Sequence, residues 1–344
     1  MGYIRFLLAL SVVLAHAGSL PVIGRMSGGE ASVQCFFMLS GFYMALVLSK
    51  NDDTLTFYRN RFSRIYSGFW VASLFAFFMS TIAKDNILLR IYSAEIPWSA
   101  KALVLFSNTF LFGSDLTVFV DAPASGLQFA SSIASIEHPV FWYLLIPPAW
   151  SLPVELCFYV LAPFALKSMR RILVLLAASI TIRLWTYSEF GNVDPWEYRF
   201  MPSELAFFLA GAISFRFLPY ANKMPQIFGE LGLAVALSLI VAFEALPSAW
   251  LLHAGILFTT PLIFAHVSMF GSKQDKSLGE VSYMVYLCHM AIIAYLPAIT
   301  GRLPVAISII ISVCVAFALH QAASHLDRWM RTVPLKRLAI NPLI

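Results

Sequence analysis

The sequence predicts an all-α integral membrane protein with about ten transmembrane helices, and three observations carry that prediction. Hydrophobic residues fill 60% of the 344 positions and charged residues only 12%, a composition foreign to a soluble domain. Mean hydropathy is +0.78, and apolar runs of spanning length recur along the whole chain. Lysines and arginines gather in alternate loops between those runs, the bias that sets orientation in a multi-pass chain. The formal charge of +5 follows from those loops, so nucleic-acid binding need not be invoked.

By length and apolarity the spans fall at 6–23, 31–49, 65–83, 140–166, 172–188, 203–219, 227–246, 250–270, 281–297 and 303–325. A further apolar stretch, 102–112, is too short to cross and reads as a re-entrant or interfacial piece. With the N-terminus cytoplasmic, the inner side collects most of the basic residues: Arg5; Lys50, Arg59, Arg61 and Arg64; Lys167, Arg170 and Arg171; Arg216 and Lys223; Lys273 and Lys276; Arg328, Arg331, Lys336 and Arg337. Arg25, Lys84, Arg90, Lys101, Arg183, Arg199 and Arg302 remain for the other side. Both termini are therefore expected in the cytoplasm.

The first span opens on Arg5 and carries His16 within its apolar run. At ~1.5 Å per residue His16 lies roughly 16 Å along the helix, about half-way across a ~30 Å bilayer core. An ionisable group at that depth is costly unless it faces a bundle interior or a wet cavity, which makes His16 a candidate for chemistry. A histidine that merely hydrogen-bonds a neighbouring helix is the plainer alternative. Ala15-His16-Ala17 also fits a small-residue cleavage pattern, but the spans that follow leave no soluble domain to secrete, and the segment is expected to stay.

In the second span, Phe36-Phe37-Met38-Leu39-Ser40-Gly41-Phe42 offers a glycine for close helix approach and a hydroxyl that can bond across it. Arg61 and Arg64 open the third span, just after Arg59, and being three apart project from one side of a helix. Paired guanidiniums suit bidentate phosphate recognition, although basic residues at helix ends are also what the topology rule alone produces. The segment 113–138, with Asp115, Asp121, Glu137 and His138, is the longest stretch between spans; loops of that length are usually functional or disordered.

Span 140–166 contains Trp150-Ser151-Leu152-Pro153-Val154-Glu155, with Ser151 and Glu155 on one face at i and i+4. Pro147, Pro148 and Pro153 predict a kink that frees backbone groups for side chains or water to satisfy. A carboxylate there needs a partner, for which His16 or an intramembrane arginine would serve; a purely structural Glu–Arg pair is the alternative. Further on, Tyr286 and His289 share a helix face. His320 and His325 are five apart, a poor spacing for a metal, and there is no HExxH, no GxSxG and no phosphate-binding glycine loop. Cys35, Cys157, Cys288 and Cys314 each lie in an apolar run without ligand spacing, so neither disulfides nor a metal is expected.

Taken in order, Arg5-X10-His16, Phe36-Phe37-Met38-Leu39-Ser40-Gly41-Phe42, Arg61-X-X-Arg64-Ile65-Tyr66, Trp150-Ser151-Leu152-X-X-Glu155, Arg199-Phe200-Met201-Pro202 with Gly211, and Leu278-Gly279-X-X-Ser282-Tyr283-X-X-Tyr286-Leu287-X-His289 resemble the membrane-bound acyltransferase 3 family. These are bacterial integral-membrane enzymes that O-acylate extracytoplasmic sugars. The match runs over nearly the whole chain, so a single transmembrane domain over 1–344 is expected, without the C-terminal hydrolase-like domain of some relatives. Two positions depart from the family pattern: Ser67 stands where proline commonly follows Ile-Tyr, and Gln34 where an acidic residue is common before Phe36-Phe37.

The resemblance implies an inner-membrane O-acyltransferase taking its donor from cytoplasmic acyl-CoA, acetyl-CoA in the first instance. Its acceptor would be a hydroxyl of an extracytoplasmic carbohydrate such as O-antigen or exopolysaccharide, lipid-linked or handed over by glycan-assembly machinery. His16 maps onto the family's essential histidine, while Arg5, Arg61 and Arg64 would meet the CoA phosphates. On this reading His16, buried and neutral at rest, accepts the acceptor's proton as general base, and Glu155 orients the imidazole. Ser40, Ser151, Arg199 and His289 are expected in support, and no metal. A glycan or lipid transporter or flippase is the rival, since buried charges and broken helices suit it equally, yet no inverted repeat relates the two halves. A structural member of a glycan-assembly complex that has lost activity is the third reading.

Overall fold

Caps and prolines set where the helices begin. The structure, a computed structural model, describes residues 1–20, 24–50, 53–270, 272–301 and 303–332. Helix α1 (Gly2–Ala17) and helix α2 (Glu30–Leu48) open the chain. Helix α3 (Thr54–Ile82) starts where the Asp53 carboxylate accepts from the Leu55 and Thr56 amides, an N-cap that satisfies two orphan donors. That cap lies well ahead of the predicted span 65–83, so Arg59, Arg61 and Arg64 stand inside a helix and not at its mouth. Helix α4 (Ile87–Ser93) follows, capped by Asn86, then helix α5 (Trp98–Phe110). At 13 residues, α5 is too short to cross, as its apolar stretch 102–112 predicts.

The predicted span 140–166 needs correction, because it is not one kinked helix. Val140–Tyr143 and Pro147–Trp150 are separate 3₁₀ turns, and regular helix α6 (Ser151–Ala165) begins only after them. Pro147 and Pro148 lack amide donors, and Ile146 ahead of them leaves helical conformation at φ −130, ψ 83. Pro153 lies in the first turn of α6, where a missing N–H leaves nothing unpaired. Ahead of this, strands β1 (Val120–Asp121) and β2 (Gln128–Phe129) pair antiparallel, with Val120 opposite Phe129. The segment 113–138 folds down onto the loop before α8: the Trp196 indole donates to the Ser131 carbonyl at 2.8 Å, and the Ile133 amide to the Asp194 carbonyl at 2.9 Å.

The chain continues through α7 (Met169–Phe190), α8 (Met201–Phe215), the short α9 (Leu218–Ala221), α10 (Ile227–Val241), α11 (Ala249–Phe270), α12 (Lys273–Thr300) and α13 (Val305–Thr332). A helix therefore occupies each of the ten predicted spans, and eight segments among the described residues are long and apolar enough to cross a membrane. Helices α1 and α10 are apolar but shorter, at 16 and 15 residues. This is an all-α, multi-pass membrane protein. Positions 21–23 of the first predicted span, and Arg302, Lys336 and Arg337 of the charge pattern, lie outside the described residues.

Two close helix crossings build the core. Helix α1 runs along α12, where a Cβ added at Gly2 would strike the Asp275 carbonyl. The Asp275 carboxylate also takes the N-terminal ammonium at 2.9 Å and the Tyr3 amide at 3.0 Å, tying down the start of α1. Helices α2 and α8 cross through reciprocal glycines: a Cβ at Gly41 would meet the Phe208 backbone, and one at Gly211 the Met38 backbone. Phe208 stacks on Phe37 and on Phe158, at 4.6 and 4.2 Å between centroids, so α6 closes onto the same crossing. Behind it, fully buried Glu204 of α8 pairs with Arg183 of α7 at 2.7 Å and accepts from Gln34 of α2 at 3.5 Å.

A leucine at position 41 cannot enter the α2–α8 crossing without parting it. Overpacking of this kind costs about 1–3 kcal/mol. Gly41→Leu is therefore expected to lower the thermal midpoint of the detergent-purified protein, and a midpoint equal to that of the unaltered chain would show that the crossing tolerates separation.

Candidate active site

Between α1, α2, α3, α6 and α12 lies a cavity of about 380 Å³ that α13 completes with Arg331. Four guanidiniums line it: Arg5, Arg61, Arg64 and Arg331. Glu155 is the one carboxylate among its lining residues, joined by Ser40, Ser151 and the phenols of Tyr43, Tyr159, Tyr283 and Tyr286. Val33, Phe36, Phe37, Leu39 and Leu152 give the remainder an apolar wall. Six of the residues picked from sequence, Arg5, Arg61, Arg64, Ser40, Ser151 and Glu155, thus come together in one place.

Each cation is delivered by helix geometry. Arg5 stands one turn into α1, whose start Asp275 holds. Arg61 and Arg64, three apart on α3, face the same side. Arg331 is held in a fork by Asp327 one turn earlier, with Nε 2.9 Å from Oδ1 and Nη2 2.7 Å from Oδ2. Asp327 in turn accepts from Ser63 of α3 at 2.7 Å, so the end of α13 is tied to α3. Arg331 entered the sequence reading only as a topology charge; its i, i+4 spacing from Asp327 was the available signal.

The other three guanidiniums have no carboxylate of their own. Among the described residues Arg5, Arg61 and Arg64 make no side-chain hydrogen bond or ion pair, and the Arg61 Nε is buried with no partner. Glu155 spends Oε1 on Ser40, which donates at 2.8 Å, and on Tyr159, which donates at 2.5 Å. Tyr159 lies one turn beyond Glu155, on the face that Ser151 and Glu155 already marked. An excess of unpaired guanidinium donors converging on a cavity is a site for a multivalent anion.

The proline-broken backbone before α6 finds the partner that the sequence demands. The Tyr286 hydroxyl donates to the Pro148 carbonyl at 2.6 Å and stands 2.7 Å from the Ser151 hydroxyl. Arg199 lies outside the cavity and acts on this junction from behind. Its guanidinium sits 4.6 Å over the Trp150 ring and is held by Asp194 at 2.6 and 2.9 Å. Burial works most strongly against the Arg199 cation, but the Asp194 hydrogen bonds, together with the charge interactions of Tyr198, Asp194 and Tyr286, hold the pKa above the usual guanidinium value.

His16 departs from expectation. Helix α1 ends at Ala17, and the chain turns at Gly18 with φ 114, a conformation that glycine adopts freely. His16 consequently occupies the last turn of α1 and is exposed, neither buried nor midway along a longer helix. Its Nδ1 lies 2.9 Å from the Val12 carbonyl, and its ring meets that of His289 edge-on, centroids 5.2 Å apart. His16 is not among the residues lining the cavity. Tyr286 stands between, lining the cavity with its ring 6.2 Å from that of His289. Glu155, engaged with Ser40 and Tyr159, makes no hydrogen bond to His16. Among the described residues no three His, Cys, Asp or Glu side chains gather as a metal site would need.

Residues 1–321 match the family model Acyl_transf_3, described as an acyltransferase domain. Comparison with curated proteins and with solved structures returned no match.

The cavity's charge makes a direct prediction for a bare anion. Titrated calorimetrically with pyrophosphate, the purified protein is expected to bind it. Arg61→Gln and Arg64→Gln should each weaken binding by about tenfold, the worth of a hydrogen bond to a charged group. Glu155→Gln, which removes the opposing carboxylate, should tighten it. Affinity indifferent to all three substitutions would mean that the anion binds elsewhere.

Proposed function

The chain belongs to the acyltransferase 3 family, and from that premise we propose that it carries an acyl group, acetyl in the simplest case, from cytoplasmic acyl-CoA to a hydroxyl of an extracytoplasmic carbohydrate such as O-antigen or exopolysaccharide. The observation that carries this reading is the convergence of Arg5, Arg61, Arg64 and Arg331 on one cavity with a single opposing carboxylate. Such a site suits the phosphates of a CoA thioester. The cavity's apolar wall of Phe36, Phe37 and Leu152 suits the uncharged pantetheine and acyl portion. In this reading the arginine-bearing end faces the cytoplasm, both termini lie there, and the protein sits in the inner membrane.

His16 is the proposed general base. Because only an N–H can be shared with the Val12 carbonyl, Nδ1 carries the proton and Nε2 presents a lone pair. Nε2 takes the proton of the acceptor hydroxyl as the oxygen forms a C–O bond to the acyl carbonyl carbon. The C–S bond then breaks, its electron pair leaves on the CoA thiolate, and His16 returns the proton to that sulfur. Exposure of His16 at the end of α1 suits an acceptor arriving from outside the bundle. Glu155 serves as a positioning residue, fixing Ser40 and Tyr159 on the cavity wall and offsetting the arginines when the donor departs. Ser151 and Arg199 support the junction at Trp150. The carbohydrate, lipid-linked or handed over by glycan-assembly machinery, is the partner this chemistry requires.

Mass spectrometry of surface glycans tests the assignment, comparing cells with the protein, without it, and with His16→Ala. Loss of the acetyl mass in the latter two is expected, with the variant still present in the membrane and still binding pyrophosphate. Normal glycan acetylation by His16→Ala would remove His16 from the mechanism. Glycans unchanged by loss of the whole protein would favour transport, or an acceptor that is not a glycan.

A further inference from the structure

The ring against His16 belongs to a histidine with an unspent atom. His289 is fully buried. Its Nδ1 lies 2.8 Å from the Tyr286 carbonyl and 3.3 Å from that of Val285, so the hydrogen is on Nδ1 and Nε2 is a bare acceptor. That Nε2 has no hydrogen-bond partner among the described residues, although a buried acceptor left without a donor costs stability and calls for a reason.

His16 shares that tautomer but not the burial. Its Nδ1 hydrogen is spent on the Val12 carbonyl, again a carbonyl of its own helix, and its Nε2 is an acceptor on an exposed ring. The two rings stand edge to face at 5.2 Å with 64° between planes. The first turn of α1 is held against α12 by the contact of Gly2 with Asp275 and Gly279. One turn before His289, Tyr286 is anchored through Pro148 and Ser151. With the Nδ1 hydrogens of both rings spent on backbone carbonyls, neither Nε2 finds a donor on the other ring; a single added proton supplies it.

We infer that His289 is the positioning partner of His16, its Nε2 accepting a hydrogen bond from the proton that His16 takes from the acceptor hydroxyl and holds until it returns that proton to the leaving thiolate. No bond to carbon changes at His289, and it ends each cycle in the state in which it began. This rests on the acyl-transfer reading given above, in which His16 is the base.

The test compares turnover and donor affinity in two variants, with His16→Ala run beside them. His289→Phe keeps a ring in the pocket but has no acceptor nitrogen; kcat is expected to fall by about tenfold or more, with the KM for acyl-CoA and pyrophosphate binding unchanged. His289→Ala leaves a ring-sized vacancy beside the exposed His16. Added imidazole should restore its turnover, whereas pyrrole, of the same size but without a basic nitrogen, should not. Wild-type turnover by His289→Phe, or equal rescue by pyrrole, would overturn the inference, and the rescue decides the matter if the Phe variant does not fold. If His16→Ala is inactive while His289→Phe is fully active, only this inference falls; if His16→Ala transfers normally, the reading beneath it falls instead.

Discussion

Mutual repulsion among four guanidiniums around one cavity is the constraint on which the rest of the structure depends. Left to themselves, Arg5, Arg61, Arg64 and Arg331 would move apart or reach for solvent, because one carboxylate, Glu155, cannot neutralise them all. The fold keeps them converged by fixing the backbones that carry them. Asp275 holds the first turn of α1 through the N-terminal ammonium and the Tyr3 amide. Asp327 grips Arg331 and is itself held by Ser63. Neither acid is among the residues lining the cavity, whose interior stays positive, so the cost of assembling like charges is met by scaffold contacts.

Glycine packing supplies the precision that the charge arrangement needs. Within a bilayer no hydrophobic force drives helices together, and close backbone approach must do that work. Gly41 and Gly211 let α2 and α8 cross backbone to backbone, which sets Ser40, the neighbour of Gly41, within 2.8 Å of Glu155 on α6. Gly2 and Gly279 do the same for the start of α1 against α12. The buried Arg183–Glu204 pair ties α7 to this frame. Breaking such a pair by removing one partner costs about 3–5 kcal/mol, a reason for both residues to be retained without any part in the chemistry.

Much of this was legible in the sequence because it is periodic or compositional. Apolar runs located a helix in each of the ten predicted spans, eight of them long and apolar enough to cross among the described residues, and i, i+3 and i, i+4 spacings placed Arg61 with Arg64 and Ser151 with Glu155. Prolines 147 and 148 announced freed backbone groups, and the Pro148 carbonyl indeed finds the Tyr286 hydroxyl. Three things were not legible, each for a physical reason. Apolarity marks where a helix could lie in lipid but not where its hydrogen bonds stop, so the early end of α1 at Gly18 and the late start of α6 at Ser151 were missed. Long-range pairing left no local trace: nothing near Glu155 tells that Ser40 and Tyr159, and not His16, take its oxygen. Arg331 was hidden because a basic residue at the end of the last span looks like a topology signal until Asp327 is seen to aim it.

The same geometry separates the charge-bearing cavity from the histidines, and the boundary between them is a single tyrosine. On one side Tyr286 lines the cavity and meets Phe36 at 6.3 Å; on the other its ring faces His289, which faces His16. What fixes the Tyr286 ring is its hydroxyl's bond to the Pro148 carbonyl, in the turn that breaks the helix, together with the hydroxyl of Ser151, the first residue of α6. The break in the helix is therefore more than a packing accident. Arg199, stacked on Trp150, holds the interruption in shape from behind.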